Sequence, residues 1–209
     1  MTDTKERITK AALDLFSEYG YEKISVAQIA EAVGIKAPSL YKHFASKQEI
    51  FDSVLTYADK CYERESVLAV SNTEKRREQF AAMLSLTAEQ FAESVFSQMK
   101  YIVFNPVISK TRRLLCTEQF RNPQACEYIE RRQFTDIYDF CKAFITFQIE
   151  NGRFIHGDVE TMALQIMSPV VMLIQRIDRN PAFAPEAEAM IKKYIVQFYE
   201  LYGKENKDA

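Results

Sequence analysis

Glycine and proline are scarce in this chain, with five and six in 209 residues against 11 Tyr and 15 Phe. So few turn formers beside so many long side chains point away from a sheet of short strands and toward an all-α protein. Cysteine is sparse too. The four, at 61, 116, 126 and 141, form no CxxC pair, and only His43 and His156 could join them. That excludes a disulfide framework and a Cys/His zinc site, and leaves ordinary reduced thiols. No large charge of one sign is present: the net charge is -2, so a polyanionic partner must be met by a local patch. There is also no long hydrophobic run. The longest uncharged stretch, "TMALQIMSPVVMLIQ" at 161–175, is interrupted by Ser168 and Pro169 and is too short to span a bilayer. The opening "MTDTKERI" has no apolar core of the kind a secretion signal needs, so a soluble, cytoplasmic protein with no membrane contact is expected. Catalytic signatures are missing as well. No HExxH or phosphate-cradling glycine loop occurs, and neither histidine has a nucleophile or carboxylate at a diagnostic spacing. No enzyme, cofactor or metal is expected.

What is present is helical punctuation. Apolar residues at Ile8, Ala12, Leu15, Phe16 and Tyr19 keep helical spacing, with a start signal at Asp3 and Glu6 and a stop at Gly20. In "ISVAQIAEAVG", Ser25 and Gln28 form a capping box, Ile24 and Ile29 a hydrophobic staple, and Gly34 a stop. A short helix over about 36–42 follows, with Pro38 tolerated in its first turn. "SKQE" at 46–49 opens a longer helix to about 66. Further helices are predicted at about 74–101, 106–120, 123–150, 158–178 and 186–202, two of them started by Asn-Pro at 105 and 122. The spacing predicts a helical head at 1–45 and a connecting helix plus larger helical body at 46–209, about nine helices in all.

Residues 25–44 have the layout of a DNA-reading helix-turn-helix. The segment "AVGIKAPSLYKHFASK", 32–47, carries Lys36, Lys42 and Lys47 and no acid, whereas residues 1–70 as a whole hold nine Lys or Arg and eleven Asp or Glu. A carboxylate among phosphates would repel, so a face turned to DNA explains the clearing. Ser39 and Tyr41 offer hydroxyls, Ala37 and Pro38 small contacts for a thymine methyl. The amide-rich start of the fourth helix, at Ser46 and Lys47, is a phosphate site in waiting. A solvated face with a few lysines has the same composition, and helix-turn-helix packing also occurs in proteins that bind no DNA.

The segment 8–51 resembles the DNA-binding domain of TetR-family transcriptional regulators. It shares A-x-x-L-F at 12–16, G-Y at 20–21, S-V-x-x-I-A-x-x-V-G-I from Ser25, and L-Y-x-H-F-x-S-K-x-x-I from Leu40. The resemblance implies a homodimeric regulator with nine helices per subunit and a small-molecule pocket in its C-terminal domain. By position it places Lys36, Ala37, Pro38, Ser39 and Tyr41 against DNA and Lys42, His43 and Lys47 near phosphate. Ser25, at the head of the first helix of the pair, joins them. The family often has Ser or Thr where Lys36 stands, so a cap is lost. Phe44 is read as core and Tyr41 as contact.

The body offers two further expectations. Residues 162–177 are apolar nearly all round, and the last helix has a stripe at Ile191, Tyr194, Ile195, Phe198, Leu201 and Tyr202. Two helices per subunit could make a four-helix bundle around a twofold axis through Val170, Leu173, Ile174 and Ile177 with Ile191, Tyr194, Ile195 and Phe198; a core within one chain is the alternative. Aromatics on the body helices suggest a pocket for an unidentified effector at Phe91, Phe96, Phe104, Phe134 and Tyr138, with Gln98 and Gln119 as polar partners, although such a stripe is more often core. The expected partners are thus a double-stranded DNA operator, a second copy of the chain and a small molecule, in a repressor released from its operator. A head that contacts protein, or an all-α enzyme, is the alternative.

Overall fold

The computed structural model describes residues 3–65 and 73–204. All regular structure among these residues is helical, apart from one bridge between Phe154 and Gly203. The described residues form two compact units, 3–65 with 104–130 and 73–103 with 131–204.

The first unit holds α1 (Thr4–Tyr19), α2 (Val26–Ala32), α3 (Ala37–Leu40), α4 (Lys47–Glu65), α7 (Pro106–Glu118) and α8 (Pro123–Ile129). The expected starts are in place. Asp3 accepts from the Lys5 amide, Asn105 from Val107 and Ile108, and Asn122 from Gln124 and Ala125. Ile8, Phe16, Ile29, Leu40, Phe44 and Phe51 meet in a core that Leu114 and Leu115 of α7 complete. Packing therefore groups α4, α7 and α8 with the helix-turn-helix.

The second unit holds α5 (Thr73–Ala82), α6 (Ala88–Phe104), α9 (Asp136–Glu150), α10 (Val159–Arg179) and α11 (Ala184–Tyr202); Phe104, the last residue of α6, falls in the first unit. Its core is a stack of rings, with Phe91 lying flat on Phe144 at 5.3 Å and Phe80 and Phe154 meeting Phe144 edge-on. The single helix expected over 74–101 is two. The chain turns at residues 83–87, and Thr87 and Gln90 cap α6 reciprocally, the Gln90 amide donating to the threonine hydroxyl and the Thr87 amide to the glutamine oxygen. The helix expected over 123–150 is interrupted by a π-helical stretch, Glu130–Thr135, between α8 and α9. These two interruptions turn nine expected helices into eleven α-helical segments among the described residues.

Pro169 lies inside α10 and cannot donate to the carbonyl of Gln165, four residues back. The Tyr194 hydroxyl of α11 donates to that carbonyl instead, and Ser168 Oγ donates to Leu164 O at 2.7 Å. No helix among the described residues is long and apolar enough to cross a membrane.

Candidate nucleic-acid interface

The geometry of the helix-turn-helix follows from local chemistry. Ser25 Oγ accepts from the Gln28 amide and Gln28 Oε1 accepts from the Ser25 amide at 2.8 Å, the complete capping box. The staple residues Ile24 and Ile29 are both buried. At the other end of α2, Gly34 has φ +73°, with its amide on Glu31 O and the Ile35 amide on Ala30 O. Those two bonds make a Schellman stop, whose left-handed residue favours glycine. Arg7 of α1 donates to the Val33 carbonyl at 2.8 Å, occupying one of the acceptors the helix end leaves free. The direction of the chain into α3 is therefore set by contacts spanning fewer than thirty residues.

α3 is a single turn, shorter than the 36–42 expected, and Lys36 caps it with no side-chain hydrogen bond. Its inner face is anchored by Leu40 and Phe44, both buried. Its outer face presents Lys36, Pro38, Tyr41 and Lys42 in the open and Ala37, Ser39 and His43 half-buried. Tyr41 is 53% exposed, far more than its neighbour Phe44 at 1%. Among the described residues, the ammonium groups of Lys36 and Lys42 and the Tyr41 hydroxyl have no partner within the protein. Among the described residues no carboxylate pairs with Lys36 or Lys42.

Lys47 differs. Its ammonium sits 4.2 Å from the centre of the Tyr21 ring and donates to the Glu22 carbonyl at 3.4 Å. Unlike Lys36 and Lys42, Lys47 is already engaged within the head. At the start of α4, Ser46 Oγ accepts from the Glu49 amide, but Glu49 reaches past Ser46 to accept from the Ala45 amide at 2.5 Å. That places a carboxylate near the amides expected to serve as a phosphate site. Ser25 is exposed, and its hydroxyl is engaged in the capping box.

The residues expected to line a pocket are mostly not brought together around one cavity. An apolar cavity of about 130 Å³ does lie in the second unit, among α6, α9 and α10, and Phe91 lines it. Phe96 is buried but does not line it, and Tyr138 packs on the core beside it. Phe134 is 43% exposed on the π-helical stretch. Phe104, 49% exposed, and Gln119, which donates to Cys116 O, belong to the first unit. The Gln98 side chain lies outside the described residues. An aromatic stripe marks burial without saying which rings surround a void. The actual lining, with Ile102, Ile137, Val170 and Ile174, is aliphatic as much as aromatic.

Of the eight residues expected at a dimer interface, six are taken up by the core of their own unit. Leu173, Ile174, Ile177, Ile191, Ile195 and Phe198 are buried in the core of their own unit, and Val170 and Tyr194 are half-buried against it. The best apolar stripe of each helix goes to the nearest core, which is its own. The exposed large apolar groups on these helices are Leu164 and Met172 of α10 and Met190 and Leu201 of α11. Met190, Tyr194, Gln197 and Leu201 make one uncharged row along α11, and Leu164, Ser168 and Met172 make another along α10.

Residues 8–54 match the model of the bacterial regulatory proteins of the tetR family. The HTH-type transcriptional repressor ComR of Escherichia coli (strain K12) is 46% identical over 50 residues, 23% of this chain and 24% of that protein. TcmR, an HTH-type transcriptional regulator of Streptomyces glaucescens, is 37% identical over 59 residues, 28% of this chain and 26% of that protein. The chain thus spans about a quarter of the length of these curated relatives. The fold is shared over nearly the whole chain. SmeT, the repressor of the Stenotrophomonas maltophilia multidrug efflux pump SmeDEF, superposes with TM-score 0.65 at 16% identity over 98% of this chain and 93% of that one. A transcriptional regulator from Saccharomonospora viridis, solved in complex with choline, gives 0.67 at 15% identity over 98% and 100%.

Proposed function

We propose that this chain, a TetR-family regulator by its head at residues 8–54 and its fold, is a homodimeric transcriptional repressor released from its operator by a small molecule. The observation that carries the reading is the unneutralised outer face of α3. Lys36, Tyr41 and Lys42 stand free on a turn whose inner side is locked by Leu40 and Phe44. Phosphates take the lysines and hold the register, while Ala37, Pro38, Ser39 and Tyr41 meet base edges in the major groove. His43 and Lys47 serve the backbone at the flank.

One α3 turn covers too few bases for a unique site, so two copies must act together, about 34 Å apart on successive major grooves. The uncharged rows on α10 and α11, with Leu164, Met172, Met190 and Leu201 exposed, are the surface on which a second copy would close. The effector site is the apolar cavity of the second unit. The like-folded regulator solved with choline supports a small-molecule site in this architecture. Repression is the sign favoured by the relatives named as repressors.

Selection of bound DNA from a random duplex pool tests the reading. The expected product is a sequence of two half-sites related by twofold symmetry. Recovery of no preferred sequence, with binding that depends on salt alone, would reduce the head to a nonspecific cationic patch.

A further inference from the structure

The lining of the second unit's cavity is unusually one-sided. Phe91, Val95, Met99 and Ile102 come from α6, Ile137, Phe140, Cys141 and Phe144 from α9, and Ile166, Met167, Val170 and Val171 from α10. Met83, Ile174 and Ile195 complete it. Among the described lining residues none is Asp, Glu, Lys, Arg or His, and none is Ser, Thr, Asn, Gln or Tyr. The side-chain heteroatoms among these described residues are the sulfurs of three methionines and of Cys141, whose thiol burial pushes up to about 12, so that it stays neutral.

From this lining, and resting on the effector reading above, we infer that the effector is a small, uncharged, mainly hydrocarbon molecule with the bulk of a single aromatic ring. Size sets the bulk: an apolar cavity of about 150 Å³ is known to stay dry and take benzene, and this one is about 130 Å³. Phe91, Phe140 and Phe144 offer ring faces and edges to an aromatic guest. Met83, Met99 and Met167 supply polarizable, adaptable walls that can yield to a substituent. Charge is excluded by desolvation. An ammonium or carboxylate entering here would leave water and meet no counter-charge or hydrogen-bond partner among the described side chains that line it. Each unpaired polar group costs the guest roughly tenfold or more in affinity.

The test uses the full-length protein and three ligands of nearly one shape: toluene, benzylammonium and benzoate. Binding is read by calorimetry and by the rise in thermal midpoint, and operator affinity is measured separately with each ligand. Toluene is expected to bind saturably, and the two ions at least 100-fold more weakly. Val95→Phe and Val171→Phe, checked for unchanged helicity, each fill the cavity and should abolish toluene binding. An ion that binds within tenfold of toluene, or toluene that shows no saturable binding, overturns the inference. Toluene binding with the expected selectivity but no change in operator affinity supports the ligand class and overturns effector control, so the two failures are distinguishable.

Discussion

At the scale of single residues, neighbours of similar chemistry have different fates. Tyr41 and Phe44 lie three apart, yet one is half in solvent and the other is sealed. Tyr41→Ala should therefore weaken operator binding about tenfold or more while leaving helicity and self-association unchanged; loss of folding in that variant would reassign Tyr41 to the core. Gln148 presents the opposite case. It is 1% exposed, and among the described residues neither its side-chain oxygen nor its nitrogen has a hydrogen-bond partner. A buried, unpaired amide costs roughly 1–3 kcal/mol, so Gln148→Leu is expected to raise stability by about 1 kcal/mol or more in urea unfolding. An unchanged or lowered midpoint would show that Gln148 has a partner in solution.

Elements in this protein are delimited by a few polar contacts, and each limit can be broken on its own. Gly34 has φ +73° with open space where a Cβ would stand, so Gly34→Ala meets torsional strain and no clash. That strain is about 1–2 kcal/mol, and denaturant unfolding should report a loss of that size together with weaker operator binding, because the exit from α2 aims α3. Thr87 caps α6 in the second unit, and removing such a cap costs roughly 1 kcal/mol. Thr87→Ala should lower the unfolding midpoint accordingly. Thr87→Ser, which keeps the hydroxyl, should retain most of the stability.

For the whole molecule, the question is which apolar surface stays outside. The inward rows of α10 and α11 are consumed by their own unit, leaving Leu164, Met172, Met190 and Leu201. If these close a dimer, Met172→Glu with Leu201→Glu buries charge at a twofold contact and should shift the protein to monomer in analytical ultracentrifugation. Operator affinity should fall with it, since one α3 turn then binds alone. A double variant that remains dimeric would move the interface elsewhere. These residues are exposed in the subunit, so its own core should be unaffected and the helicity preserved.

The head was legible in the sequence because its shape is set locally. Asp3, the Ser25–Gln28 box, the Ile24–Ile29 staple and Gly34 act over two to five residues, and each is in place. The break before α6 was equally local: "TAEQ" at 87–90 is a capping box of the same kind as "SVAQ" at 25–28, masked by apolar residues that continue helical spacing through Met83 and Leu86. The body was another matter. A helix that is apolar nearly all round, as α10 is, has no direction written in its composition. Only the placement of α6, α9 and α11 around it decides that Leu173, Ile174 and Ile177 face inward and Met172 outward. The cavity likewise joins residues as distant as Met83 and Ile195. A void is what packing fails to fill, and so it belongs to the assembled tertiary structure and to no segment of the sequence.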